Sequence, residues 1–102
     1  MHTKTINAIE VLDTGEVILI IEGPRDPAYQ YVYREAAGVY WDEKRHGFKS
    51  TEMKEWGVST WFEHIVAVVE LGLGLKLSLG GNVHWNNVPA ADRQAIERRY
   101  AP

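Results

Sequence analysis

The sequence predicts an α+β domain: an antiparallel sheet of about five or six strands, with one main helix packed on a face and a short C-terminal helix at an edge. Three observations carry this expectation. The stretch from Thr60 to Leu79, TWFEHIVAVVELGLGLKLSL, changes from helical to strand periodicity at its glycines. The run from Glu16 to Glu22, EVILIIE, is rich in β-branched residues. Gly, Pro, Asn and Asp clusters break the remainder into short segments, as strands and turns require.

The first run, Thr5 to Leu12, alternates in part, with Ile9 and Val11 on one side. Asp13-Thr14-Gly15 supplies a turn, and Glu16 to Glu22 returns as the second strand of a hairpin. That strand is apolar on both faces, with Val17, Leu19 and Ile21 opposite Ile18 and Ile20, so a helix on one side leaves the other in need of cover. A partner subunit is one candidate. Gly23-Pro24-Arg25-Asp26-Pro27 is a rigid connection. From Tyr29 to Glu35 a third strand is expected, with Tyr29, Tyr31 and Tyr33 in one row.

Val39-Tyr40-Trp41 reads as the fourth strand and Phe48 as the start of its return, joined by the charged tip Asp42 to Gly47, where Gly47 suits positive φ. The segment Ser50 to Gly57 has no clear period. A capping box of Thr60 and Glu63 opens the helix, with Ser59 as the alternative cap. It runs from about residue 60 to 71 with Phe62, Ile65, Val66 and Val69 as its apolar stripe, and Gly72 or Gly74 ends it. Leu75, Leu77 and Leu79 mark a half-buried strand, which Gly80-Gly81-Asn82 turns into a short strand at Val83-His84-Trp85. Pro89 opens a last helix of about residues 89–100 that ends in Arg98-Arg99.

At 102 residues, with 45% apolar and 25% charged residues, residues 1–102 form one domain able to bury a core. The absence of cysteine removes disulfides, thiolate metal sites and a Cys nucleophile. A net charge of −3 offers no general attraction to nucleic acid or anionic lipid. MHTKTINAIEVLD lacks a signal-peptide pattern, and no apolar run approaches the roughly 20 residues of a spanning helix, so a cytoplasmic protein is expected.

Few residues suggest chemistry. His64, beside the apolar stripe, could act as an acid or base with a third group, as Glu63 points about 100° away. If His84 converged with His64 and Glu63 or Glu70, an acid-base or metal site would result. No spacing matches a metal motif such as HExxH, and no metal or cofactor is expected. The structural reading, a boundary histidine and a solvent-facing one, is favoured for both. The tip residues Asp42, Glu43 and His46 read as a solvated turn. The glycines fit no phosphate-binding loop, and Arg93, Arg98 and Arg99 read as a solvated helix face.

The aromatics carry the main functional expectation. Tyr29, Tyr31, Tyr33, Tyr40, Trp41 and Trp85 are the candidate binding residues, since Tyr and Trp combine large apolar area with a polar handle. Filling a small core is the competing use.

In its size and its order of strands, then WGVSTWFEHI (56–65), then a leucine-alternating strand, the chain resembles the short orphan α+β proteins carried by bacterial integron gene cassettes. The resemblance implies the fold and transfers no functional residue. The expected function is a non-enzymatic binding protein, a homodimer whose aromatic sheet face or cleft takes a small apolar or aromatic ligand or a protein partner. Two alternatives stand beside it: a small enzyme with a His/carboxylate pair, and an inhibitor or immunity-type partner protein.

Overall fold

The hairpin that opens the chain forms the middle of a five-stranded sheet. In the computed structural model, which describes residues 2–51 and 56–100, the strands are β1 (His2–Val11), β2 (Val17–Ile21), β3 (Val39–Asp42), β4 (Gly47–Ser50) and β5 (Leu75–Asn86), in the order β3-β4-β2-β1-β5. The helices are α1 (Val58–Leu73) and α2 (Ala90–Tyr100), and the class is α+β. Of the Ser50–Gly57 segment, residues 52–55 lie outside the described residues.

Three of the strand pairs are antiparallel, but β5 runs parallel to β1, so the sheet is mixed. The cause is the crossover. β4 and β1 run the same way because each is antiparallel to β2, and α1 then carries the chain back across the sheet. A strand that follows such a helix starts at the end where β4 started, and so lies parallel to β1.

The expected third strand, Tyr29 to Glu35, is instead a 3-10 helix, η1 (Pro27–Glu35). Asp26 caps it by accepting a hydrogen bond from the Ala28 N–H at 2.8 Å, and Pro27 occupies the first helical position with its φ already set. With about three residues per turn, the inward positions are i and i+3. Tyr29 and Val32 are buried as a result, and the three tyrosines do not form a row.

Gly80-Gly81-Asn82 does not reverse the chain either. Leu79 pairs with Ile6 and His84 with Ala8 in one direction, so the glycines form an outward excursion in a single strand. β1 has a matching irregularity between Ile6 and Ala8. The extra residue lets Ile6 and Ile9, an odd number of positions apart, both point into the core, where both are fully buried.

All three helices contribute to one core. Phe62, Ile65 and Val69 of α1, Tyr29 and Val32 of η1 and Ile96 of α2 pack with Ile9, Leu19, Phe48 and the leucines of β5. Leu71, near the end of α1, lies off this packed face and is 81% exposed. α1 ends as expected at a left-handed Gly74, φ 64°, whose N–H reaches the Glu70 carbonyl at 2.9 Å.

Its start differs from the expected capping box. Helical residues begin at Val58, after Gly57, with no cap from the helix's own side chains. The Oδ1 of Asp92, on α2, accepts from the Ser59 N–H at 3.0 Å. A carboxylate from another helix thus satisfies a free donor of the first turn and complements its positive dipole end. Gly47 also differs from expectation: His46 takes the left-handed conformation, at φ 60°. Glycine is needed at 47 because a Cβ there would stand 2.5 Å from the Leu19 carbonyl oxygen.

Candidate interaction surface

Strand pairing places two rows of residues on the sheet face away from the helices. One runs His84, Ala8, Ile20, Gly47, Asp42, and the other Asn86, Glu10, Ile18, Lys49, Tyr40. Ala8 and Ile18 are buried yet stand apart from the core cluster. The two-sided β2 strand is therefore real: Ile18 on its second side is fully buried without belonging to the helix-packed core. Lys49 bridges Glu16 and Asp42, each at 3.5 Å, with its aliphatic stem on this face. Tyr40 is 45% exposed beside it.

Asp42 anchors this corner. Its Oδ1 accepts from the Arg45 N–H at 3.0 Å, and its Oδ2 faces Arg45 Nη1 at 3.3 Å. Burial pushes its pKa up, but the Arg45 N–H bond, Lys49 and the Arg45 guanidinium together outweigh burial and hold it below the ordinary carboxylate value. Glu43 is likewise engaged, with Arg25 at 3.1 Å and with the indole N–H of Trp41. His46 Nε2 lies 2.7 Å from the Gly23 carbonyl oxygen. The charged tip is thus a bonded turn.

The six candidate binding residues do not converge. Tyr29 and Trp41 meet edge to face at 5.0 Å on the core side, together with Phe48, and burial followed by the Asp26 charge raises the Tyr29 pKa. Tyr31 and Tyr33 are exposed on η1, where Arg34 stacks over Tyr31. Tyr40 stands on the opposite sheet face. Trp85 lies on the β5 edge, far across the sheet from β3, with the Arg93 guanidinium 5.1 Å from its ring centre.

The candidate acid-base groups are also separate. His64 Nε2 lies 2.7 Å from the Ala37 carbonyl oxygen, and the ring packs edge-on against Trp56 and Trp61. Glu63 faces Arg99 at 2.9 Å. His84 is exposed on the helix-free face. Among the described residues no hydrogen bond or ion pair joins either histidine to a carboxylate, and no cluster of His, Asp and Glu could hold a metal ion. Among them, too, no helix is long and apolar enough to cross a membrane.

Sequence reasoning missed the role of Asp92, which has no local signal, and that of η1, whose Asp26-Pro27 pair is a helix-start signal.

A family model described as Integron Cassette Protein Hfx_Cass5 matches residues 7–82. The chain belongs to this family. Within the Hfx_Cass5 match lie the second half of β1, all of β2 to β4, η1 and α1, and β5 as far as its glycine excursion. A solved structure of integron cassette protein Hfx_Cass5, from the mobile metagenome of North West Arm Sewage Outfall, is 31% identical over 100% of this chain and 99% of that chain, with a TM-score of 0.47. No curated protein matches. The resemblance to integron cassette proteins is thus met by the family match.

Proposed function

We propose that this Hfx_Cass5-family chain is a non-enzymatic binding protein that works as a homodimer, with a second copy covering the helix-free face of the sheet. The observation that carries the reading is the placement of α1, α2 and η1 on one side of the sheet, which among the described residues leaves no helix over the other face, where Tyr40 is exposed and Ile20 is half-buried. An isologous contact needs a self-complementary surface. Charges of both signs on this face, Glu10 of β1 and Lys76 of β5, favour such a contact, and neither is held in an ion pair among the described residues. The protein acts in the cytoplasm, a reducing compartment that suits a cysteine-free chain.

Light scattering after size exclusion tests the proposal. The wild-type chain should elute at twice the mass of one chain over the micromolar range, and Ile20→Lys should yield a folded monomer with an unchanged circular dichroism spectrum. A wild-type chain that stays monomeric throughout would overturn it.

A further inference from the structure

We propose that a groove at one end of the sheet binds a small organic anion with an apolar body, of the medium-chain carboxylate type. The groove holds about 340 Å³ between the first residues of β1 and β5, the end of α1 and the start of η1. That volume lies at the small end of the roughly 300–1,000 Å³ that ligand sites occupy. It sits at the end of the sheet rather than on the helix-free face, so it is independent of dimer formation.

Its lining has two chemistries. Pro24, Tyr29, Leu73 and Leu75 supply an apolar wall, and Lys4 and Arg25 supply cations. The Lys4 ammonium occupies space that Gly23 leaves open, where a Cβ would stand 2.9 Å from Nζ. No ion pair among the described residues engages it. Arg25 pairs with Glu43 at 3.1 Å, but both side chains are about half exposed, and such a pair costs little to exchange for a ligand carboxylate.

Asp26 is the opposing charge. Its Oδ1 is committed to the Ala28 N–H on the first turn of η1. The lining itself thus carries two cations and one carboxylate, with Glu43 outside it on Arg25, so that Lys4 and an exchangeable Arg25 are what the groove offers an anion. Two other concavities differ: the one at the glycine excursion balances Arg93 with Glu97, and the one by the first hairpin sets Arg45 and Lys49 against Glu10, Asp13 and Glu16. An anion is therefore favoured at the first groove, and the apolar wall selects one with a hydrocarbon body over a bare inorganic ion.

The test is a nuclear magnetic resonance titration of the full chain with sodium octanoate, with octanol as the uncharged counterpart. Octanoate should give saturable shifts confined to the amides of Lys4, Arg25, Tyr29 and Leu75 and their neighbours. Octanol should bind about tenfold more weakly, equivalent to about 1.4 kcal/mol. Lys4→Met and Arg25→Gln should each weaken octanoate and leave octanol unchanged, and Arg25 is exposed enough for its variant to fold normally. Shifts that do not saturate, equal binding of octanol, or unchanged octanoate affinity in Arg25→Gln would each overturn the proposal.

Discussion

Replacing Asp92 with alanine should destabilise the protein through a helix to which Asp92 does not belong. The carboxylate accepts the Ser59 N–H at 3.0 Å and stands at the N-terminal end of α1, while also lying in the first turn of α2. Loss of an N-terminal cap costs about 0.5–2 kcal/mol, and loss of a negative charge at that position about 0.3–1 kcal/mol more. An overall cost of about 1–3 kcal/mol follows, which lowers the melting temperature by about 4–20 °C in a domain of this size. Urea unfolding followed by far-ultraviolet circular dichroism measures it. Asp92→Asn keeps an oxygen acceptor and should lose about half as much. Thr60, the expected cap, lies inside α1 and is exposed, so Thr60→Ala should change stability by less than about 0.5 kcal/mol. If Thr60→Ala proved as damaging as Asp92→Ala, the inter-helix cap would be refuted and the local capping box reinstated.

Gly47→Ala sets a Cβ against the Leu19 carbonyl oxygen at 2.5 Å and Ile18 Cγ1 at 2.9 Å, and backbone cannot yield cheaply. A cost of about 1–3 kcal/mol is expected by chemical denaturation, and a neutral result would show that the two strands can separate locally. Asp42 has a folded-state pKa below its unfolded value, so its contribution is present above the ordinary value of 3.8 and is lost as pH falls through the folded pKa. Melting temperature against pH should therefore drop on the acid side, and Asp42→Asn should flatten that limb; an unchanged limb would show that other carboxylates dominate. His64→Phe keeps the aromatic packing but leaves the Ala37 carbonyl without its partner, for a loss of about 1–2 kcal/mol, which an unchanged urea midpoint would contradict.

Much of the fold was legible because its signals are local. The α1 stripe, the Gly74 stop, the leucine alternation of β5 and the hairpin at Asp13-Thr14-Gly15 each depend on residues within a few positions. The tyrosine segment misled for an instructive reason. Tyr-x-Tyr-x-Tyr satisfies a period of two, but the Asp26-Pro27 start imposes a period of three, and only Tyr29 and Val32 turn inward. Of the candidate site, the two-sided character of EVILIIE could be read directly, since every residue from Val17 to Ile21 is aliphatic. The scatter of the aromatics over η1, both sheet faces and the β5 edge could not, because it depends on which elements lie side by side.

By itself, then, the sequence determined the α+β class, the absence of disulfides within residues 1–102, and a central strand with two apolar sides, all consequences of composition and short-range periodicity. Tertiary structure decided the rest. The α1 crossover set β5 parallel to β1, packing brought Asp92 across to α1, and the choice of side for the three helices put Ile20 and Tyr40 on the face they do not cover. Each joins residues far apart in the chain, and no local preference of either partner encodes the meeting.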